Sequence, residues 1–218
     1  MNKTSTLFAL AAVAALVSAC SKEAPAPASA PAAPAPAAAA TPATPPATAQ
    51  AGAAAAQSSG VSTDAIASEA QGFTVGPTMS ARTVYVFFDA QCPHCSAQWY
   101  AAKPLKPQAK FVWIPVRLLN DNSGAQGAAI LAAKDPAAAM DEHEAAMMDH
   151  KGGIKAASGA AAQEAAIKKN TDLFTRYQFA SVPTLVTKNA QTGAVVTHEG
   201  ALKTEDLAAF VGVPVPAK

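Results

Sequence analysis

Two cysteines set two residues apart are the first feature with chemical potential. They sit in Asp89-Ala90-Gln91-Cys92-Pro93-His94-Cys95. Such a pair can open and close a disulfide, or it can supply half of a metal site. The chain has only three cysteines, too few for a stabilising disulfide framework. A structural zinc site needs four ligands. His143, His150 and His198 could complete one, but no second pair has suitable spacing. Haem attachment needs histidine directly after the second cysteine, and Ser96 stands there. A reversible dithiol is the reading that these residues favour.

The setting of the pair strengthens that reading. Residues 82–88, Arg-Thr-Val-Tyr-Val-Phe-Phe, are β-branched and aromatic and predict a buried strand. A helix is expected to open at Cys92, with Pro93 in its first turn, where no N–H is needed. A Cys92 thiolate at the helix start accepts backbone N–H groups and feels the positive end of the helix dipole, which lowers its pKa. Cys95, one turn on and more buried, is expected to stay protonated until it resolves a mixed disulfide at Cys92. An imidazolium or N–H donor from His94 would stabilise the thiolate further and make the disulfide more oxidising.

Other segments place this unit in a fold. Residues 111–116 predict a second strand, with Pro115 suggesting an edge or an end. Residues 126–133, 136–150 and 161–177 look helical. Strand signals return at 184–187 and 194–197, joined by a turn at 189–193. A last helix is expected over 204–211, with Thr204 as its N-cap. The order is strand, dithiol, helix, strand, helical block, hairpin and helix. It predicts an α/β thioredoxin-like fold with a helical block inserted at about 119–178. Enzymes of that type face their dithiol with a cis-proline. Ser181-Val182-Pro183-Thr184, just before a predicted strand, is the segment expected to supply it through Pro183. Val182 and Thr184 would then pair with an extended substrate.

The N-terminal end bears on location. Lys3, a short apolar run from Leu7 to Val17 and small residues before Cys20 describe a secretory signal peptide over 1–19. Leu16-Val17-Ser18-Ala19-Cys20 resembles a bacterial lipobox, which implies lipidation of Cys20. Several acyl chains on one residue make a stable anchor. Residues 24–60 are almost entirely Ala, Pro, Thr, Ser, Gln and Gly, and are expected to form a disordered tether. Fully extended, that stretch reaches on the order of 100 Å. The expected organisation is a signal peptide over 1–19, a lipidated Cys20 with its tether over 20–60, and one domain over 61–218. Without Lys3, basic and acidic side chains balance at fifteen each. That balance argues against a nucleic-acid partner and against a polybasic membrane patch.

Val84-Tyr85-Val86-Phe87-Phe88-Asp89 leading into Cys92-Pro93-His94-Cys95 resembles the catalytic domain of the DsbC/DsbG-type thiol:disulfide interchange proteins. Residues 128–136, Ala-Ala-Ile-Leu-Ala-Ala-Lys-Asp-Pro, are similar to a stretch of DsbG's helical block. The resemblance covers about 82–211. It implies Cys92 as nucleophile, Cys95 as resolving thiol and Pro183 as the cis-proline. There are three departures. His94 stands where DsbG has tyrosine. Val182 stands where threonine is usual. The Ala/Pro segment occupies the place of an N-terminal dimerisation domain.

The function expected is therefore that of a periplasmic, lipid-anchored thiol:disulfide oxidoreductase without a cofactor. Protein thiols and disulfides would be its substrates, a membrane redox protein its electron partner and a monomer its state. The outer membrane is the expected anchor site. The competing reading is a redox-inert or metal-binding thioredoxin-fold module. It would use zinc, or copper held by Met140, His143, Met147 and His150 at helical spacing. A Met-rich face packed on the domain, with histidines at its border, explains those four residues better. Trp99, Tyr100 and Trp113 are expected to pack near the dithiol.

Overall fold

A computed structural model describes residues 56–57, 60–156 and 160–216. The expected signal peptide, Cys20 and nearly all of the expected tether lie outside the described residues. Two adjacent parallel strands carry the site: β3 (Thr83–Asp89) and β4 (Lys110–Val116). Both alternate sharply. Val84, Val86 and Phe88 of β3, with Phe111 and Trp113 of β4, enter one core, while Phe87, Ile114 and Val116 enter the other. A strand buried on both faces must be apolar at nearly every position, and residues 83–88 meet that demand.

β5 (Thr184–Lys188) lies antiparallel against the other side of β3, and β6 (Val195–Glu199) follows it in a hairpin. Asn189 builds the turn by accepting at Oδ1 from the N–H groups of Gln191 and Thr192. β2 (Phe73–Val75) pairs with β4, and β1 (Ala56–Gln57) with β6. The sheet order is β1-β6-β5-β3-β4-β2. One face is covered by α2 (Pro93–Ala102), α4 (Pro136–Met148) and α6 (Thr204–Val211), whose Trp99, Met140 and Leu207 join the first core. The other face takes α1 (Thr63–Glu69) and α5 (Ala161–Arg176), through Ile66, Leu173 and Phe174. α3 (Asp121–Ala132) packs on α5 and α4. Among the described residues no helix is long and apolar enough to cross a membrane.

Several local expectations change. Ala56–Gln57 falls within the segment assigned to the tether, yet pairs with Val196 and Thr197. Edge pairing uses backbone groups, so side-chain composition does not reveal it. Pro115 is neither at an edge nor at the end of its strand: it pairs with Phe88 inside β4. Its carbonyl points away from β3, to Asn170 Nδ2 at 2.9 Å, beyond the reach of β2. On that side the missing N–H costs no ladder bond. Thr204 is the first residue of α6 and not its cap; its hydroxyl donates to the Ala101 carbonyl at 3.0 Å. α3 begins five residues earlier than the apolar pattern suggests, at Asp121, because Asn120 and Ser123 form a reciprocal capping box. α1 and β2 lie outside the expected elements.

Asn170 is fully buried and ties three elements together. Its Oδ1 accepts from Gln71 N–H at 2.9 Å, and its Nδ2 donates to Gln71 O and Pro115 O. Asn170→Ala leaves a buried strand carbonyl unpaired and is expected to cost about 2–3 kcal/mol in denaturant unfolding. A loss below about 0.5 kcal/mol, typical of a surface change, would contradict this role.

Candidate active site

The end of β3 turns directly into the dithiol, and Asp89 holds the turn. Its buried carboxylate accepts from Gln91 N–H at 2.9 Å through Oδ1, and from the Leu118 and Leu119 N–H groups at 2.8 and 3.0 Å through Oδ2. One side chain thus binds the loop after β3 to the loop after β4. Cys92 is the N-cap of α2 and Pro93 its first residue. Cys92 is 6% exposed and Cys95 0%. Both are free thiols. Across the site, the Cys92 thiol reaches the Val182 carbonyl at 3.4 Å, and the Val182–Pro183 peptide bond is cis.

The two sulfurs have opposite electrostatics. Cys92 is lowered to about 6, chiefly because the Cys95 thiol donates to its sulfur. Burial opposes the shift, while the backbone N–H groups of Cys95 and His94 and the charge of His94 assist it. Cys95 is pushed well up, first by burial and then by its bond to Cys92. One sulfur is therefore an anion near neutral pH, and the other keeps its proton.

The remaining predicted site residues divide. His94 is exposed in the first turn of α2. Pro183 is buried and Val182 half-buried. The Thr184 side chain is fully buried, with its hydroxyl donating to Ser181 O, so it cannot itself meet a substrate. Its contribution is to hold the Val182–Pro183 turn. Trp99 and Trp113 stack edge-on at 4.9 Å beneath the dithiol, while Tyr100 sits at the surface under Lys103.

The Met/His face of α4 is broken up. Met140 is buried, and His143 uses both ring nitrogens. Its Nε2 donates to Ala90 O at 2.6 Å and its Nδ1 accepts from Ile154 N–H at 3.2 Å. The neutral ring satisfies both bonds, and burial lowers its pKa. His150 is exposed at the end of the helix. Among the described residues no three His, Cys, Asp or Glu side chains are grouped to hold a metal.

Sequence reasoning missed the polar residues around the dithiol. Gln91 Nε2 donates to Gln126 Oε1, and Gln126 Nε2 donates to Gly152 O at 2.7 Å and Ile154 O at 2.9 Å. Gly153 packs so closely on His143 that a Cβ would collide with the ring. Glu144 is 1% exposed and accepts a hydrogen bond from the Ser96 hydroxyl, next to Cys95. Burial raises its pKa to about 7. One signal was available: Glu144 lies four residues after Met140 and three before Met147, on the same helix face.

No family model matches the chain. Among curated proteins it is 32% identical to the thiol:disulfide interchange protein DsbG of Pseudomonas aeruginosa over 137 residues, 60% of this chain and 51% of that protein. To DsbG of Escherichia coli it is 41% identical over 64 residues, 28% of this chain and 26% of that one. The chain thus spans about half the length of the first relative and a quarter of the second. The catalytic domain of Proteus mirabilis ScsC superposes with a TM-score of 0.52 at 17% identity, over 68% of this chain and 95% of that one. The chain is DsbG-like in sequence and thioredoxin-like in fold. α-DsbA2 of Wolbachia pipientis gives a TM-score of 0.50 at 19% identity, over 64% of this chain and 85% of that one.

The asymmetry of this dithiol is open to measurement. Alkylation of Cys92 in the reduced protein is expected to rise with a midpoint near pH 6, with Cys95 unmodified across the range. Site-resolved mass spectrometry checks both; a midpoint near 9 would remove the asymmetry.

Proposed function

We propose that the domain is a thiol:disulfide oxidoreductase exchanging disulfides with protein substrates through Cys92 and Cys95. The observation that carries this reading is the pairing of a Cys92 thiol lowered to about 6, set against the Val182 carbonyl, with a buried, protonated Cys95. The Cys92 thiolate attacks a substrate disulfide, forms a mixed disulfide and releases the first substrate thiolate. Cys95 then loses its proton and attacks the Cys92 sulfur. That step closes the Cys92–Cys95 disulfide and releases the second substrate thiol. Run in reverse, the same steps oxidise a substrate dithiol. The Val182 carbonyl offers an extended substrate a backbone acceptor beside the reacting sulfur. Pro183 and Thr184 hold that backbone in place.

The setting belongs to the same proposal. A signal peptide over 1–19 would send the chain to the bacterial periplasm, and lipid on Cys20 would hold it at a membrane, the outer one by preference. The Ala/Pro-rich stretch would let the domain reach its substrates and a membrane redox partner, at raised effective concentration. Residues 24–60 lack the apolar side chains that a subunit contact needs, so the domain is proposed to work as a monomer.

Cys92→Ser is expected to abolish exchange, and Cys95→Ser to accumulate mixed disulfides through Cys92. Non-reducing gels and mapping of the linked peptides give the readout; trapping through Cys95 in Cys92→Ser protein would reverse the assignment. The redox state of the pair in cells separates the two directions, since a mainly oxidised pair belongs to a dithiol oxidase.

His94 is assigned the tuning of the potential. His94→Tyr removes a charge that favours the Cys92 thiolate, so the Cys92 pKa is expected to rise and the reduction potential to fall. Each 30 mV corresponds to about 1.4 kcal/mol for this two-electron couple. Equilibration against glutathione measures the shift, and an unchanged potential would leave His94 without that role.

A further inference from the structure

The second half of the exchange raises a problem that Cys92 does not solve. Cys95 must give up its proton at the moment of attack, yet it is fully buried and strongly favours the thiol. A buried thiol with no base nearby resolves slowly, because a thiolate is the nucleophile in disulfide exchange. We propose that Glu144, the buried carboxylate that α4 places behind Cys95 and bonds to Ser96, accepts the Cys95 proton when the mixed disulfide is resolved and returns it in the reverse reaction. This rests on the exchange reading above.

The placement is specific. Glu144 is 1% exposed, and among the described residues no lysine or arginine pairs with it. An ionised carboxylate without a cation in that position costs stability, and groups so placed cluster at reaction centres. Its hydrogen bond comes from Ser96, the residue after Cys95. Its charge is felt at Cys95, and its own affinity for a proton rises with the Cys92 thiolate.

That last coupling turns the group over at the right moments. In the reduced enzyme the Cys92 anion favours the protonated carboxyl. Once Cys92 is capped in a mixed disulfide, the anion is gone and Glu144 releases its proton more readily. A base then stands behind Cys95 when one is needed. The step balances: the Cys95 S–H bond breaks, its electron pair forms the Cys95–Cys92 bond, the substrate sulfur departs with the old bonding pair, and the proton goes to Glu144.

Few other charges complicate its titration. From α2, packed against α4, the ionisable side chains are His94, Cys95 and Tyr100, with Cys92 at the cap. β2 carries none, and α3 only Asp121 at its exposed start. On α4 itself, Asp141 is engaged by Lys103 and Trp99, Glu142 is exposed, and His143 is committed to Ala90 and Ile154.

The test uses the reduced full chain carrying Cys20→Ser, so that only the dithiol reports. It is mixed with the aromatic disulfide 5,5'-dithiobis(2-nitrobenzoate). The first coloured equivalent follows attack by Cys92, and the second follows closure by Cys95. With Glu144 present, the closure rate is expected to rise with pH through an inflection between 4.5 and about 7. Glu144→Gln should abolish that inflection and slow closure relative to the first phase by about 10-fold or more. Ser96→Ala withdraws a hydrogen bond that favours the carboxylate, so it should move the inflection to higher pH; it decides the matter should the glutamine variant not fold. Unchanged inflections in the variants that fold would overturn the role of Glu144 alone. Release of the first equivalent with no Cys92–Cys95 disulfide in the unsubstituted dithiol would overturn the exchange reading instead.

Discussion

The register of β5 on β3 is the constraint from which the site follows. Phe87 stands opposite Thr184, so the chain before β5 and the chain after β3 emerge together at the same end of the sheet. That places the Val182 carbonyl against Cys92, although 90 residues separate them in sequence. A slip of one residue would turn every β5 side chain to the opposite face and carry Val182 away from the sulfur. The apolar sequence on both strands prevents the slip, because Val86, Phe87, Leu185 and Val186 are all fully buried.

Given that register, one helix terminus makes two thiols unlike. Cys92 caps α2, where the backbone N–H groups of His94 and Cys95 favour its anion, whereas Cys95 sits inside the first turn, in the core with Trp99 and Trp113. The bond from Cys95 to Cys92 then works in both directions: it stabilises the anion on one sulfur and the proton on the other. The asymmetry therefore belongs to the pair in its place. A Cys-x-x-Cys in an exposed loop would lack both the helix start and the dry core.

The helical block between β4 and β5 completes the surroundings. His143 of α4 holds Ala90, and Gln126 of α3 holds Gln91, so the approach to the dithiol is gripped from two helices. The same block brings the Glu144 carboxyl beneath it. These contacts are polar, and the one between His143 and Ala90 is fully buried, so loss of the ring leaves a buried carbonyl unpaired. Such a shell resists rearrangement more than apolar contacts of similar area would.

What the sequence determined by itself were the features with a local physical cause. The apolar run at 83–88 requires a buried strand. Pro93 suits the start of a helix and Asp135-Pro136 another, the latter with Asp135 Oδ1 accepting from Ala137 and Ala138 N–H. The Asn189–Gly193 turn forces a hairpin, and the order of these elements is enough to name the fold. Short elements such as β1 and β2 left no such mark, since two or three residues hold no period. Nor did the partners of buried polar groups. The partners of Asp89, Gln126, His143, Glu144 and Asn170 cannot be read from sequence, because a hydrogen bond between residues 29 to 99 positions apart has no local pattern. Only the packed tertiary structure decided that Thr184 turns inward, that the Met/His face of α4 is divided between core and surface, and that a buried carboxyl meets Ser96, the residue after the second thiol. Burial is what gives those groups their properties, and burial is set by the whole fold.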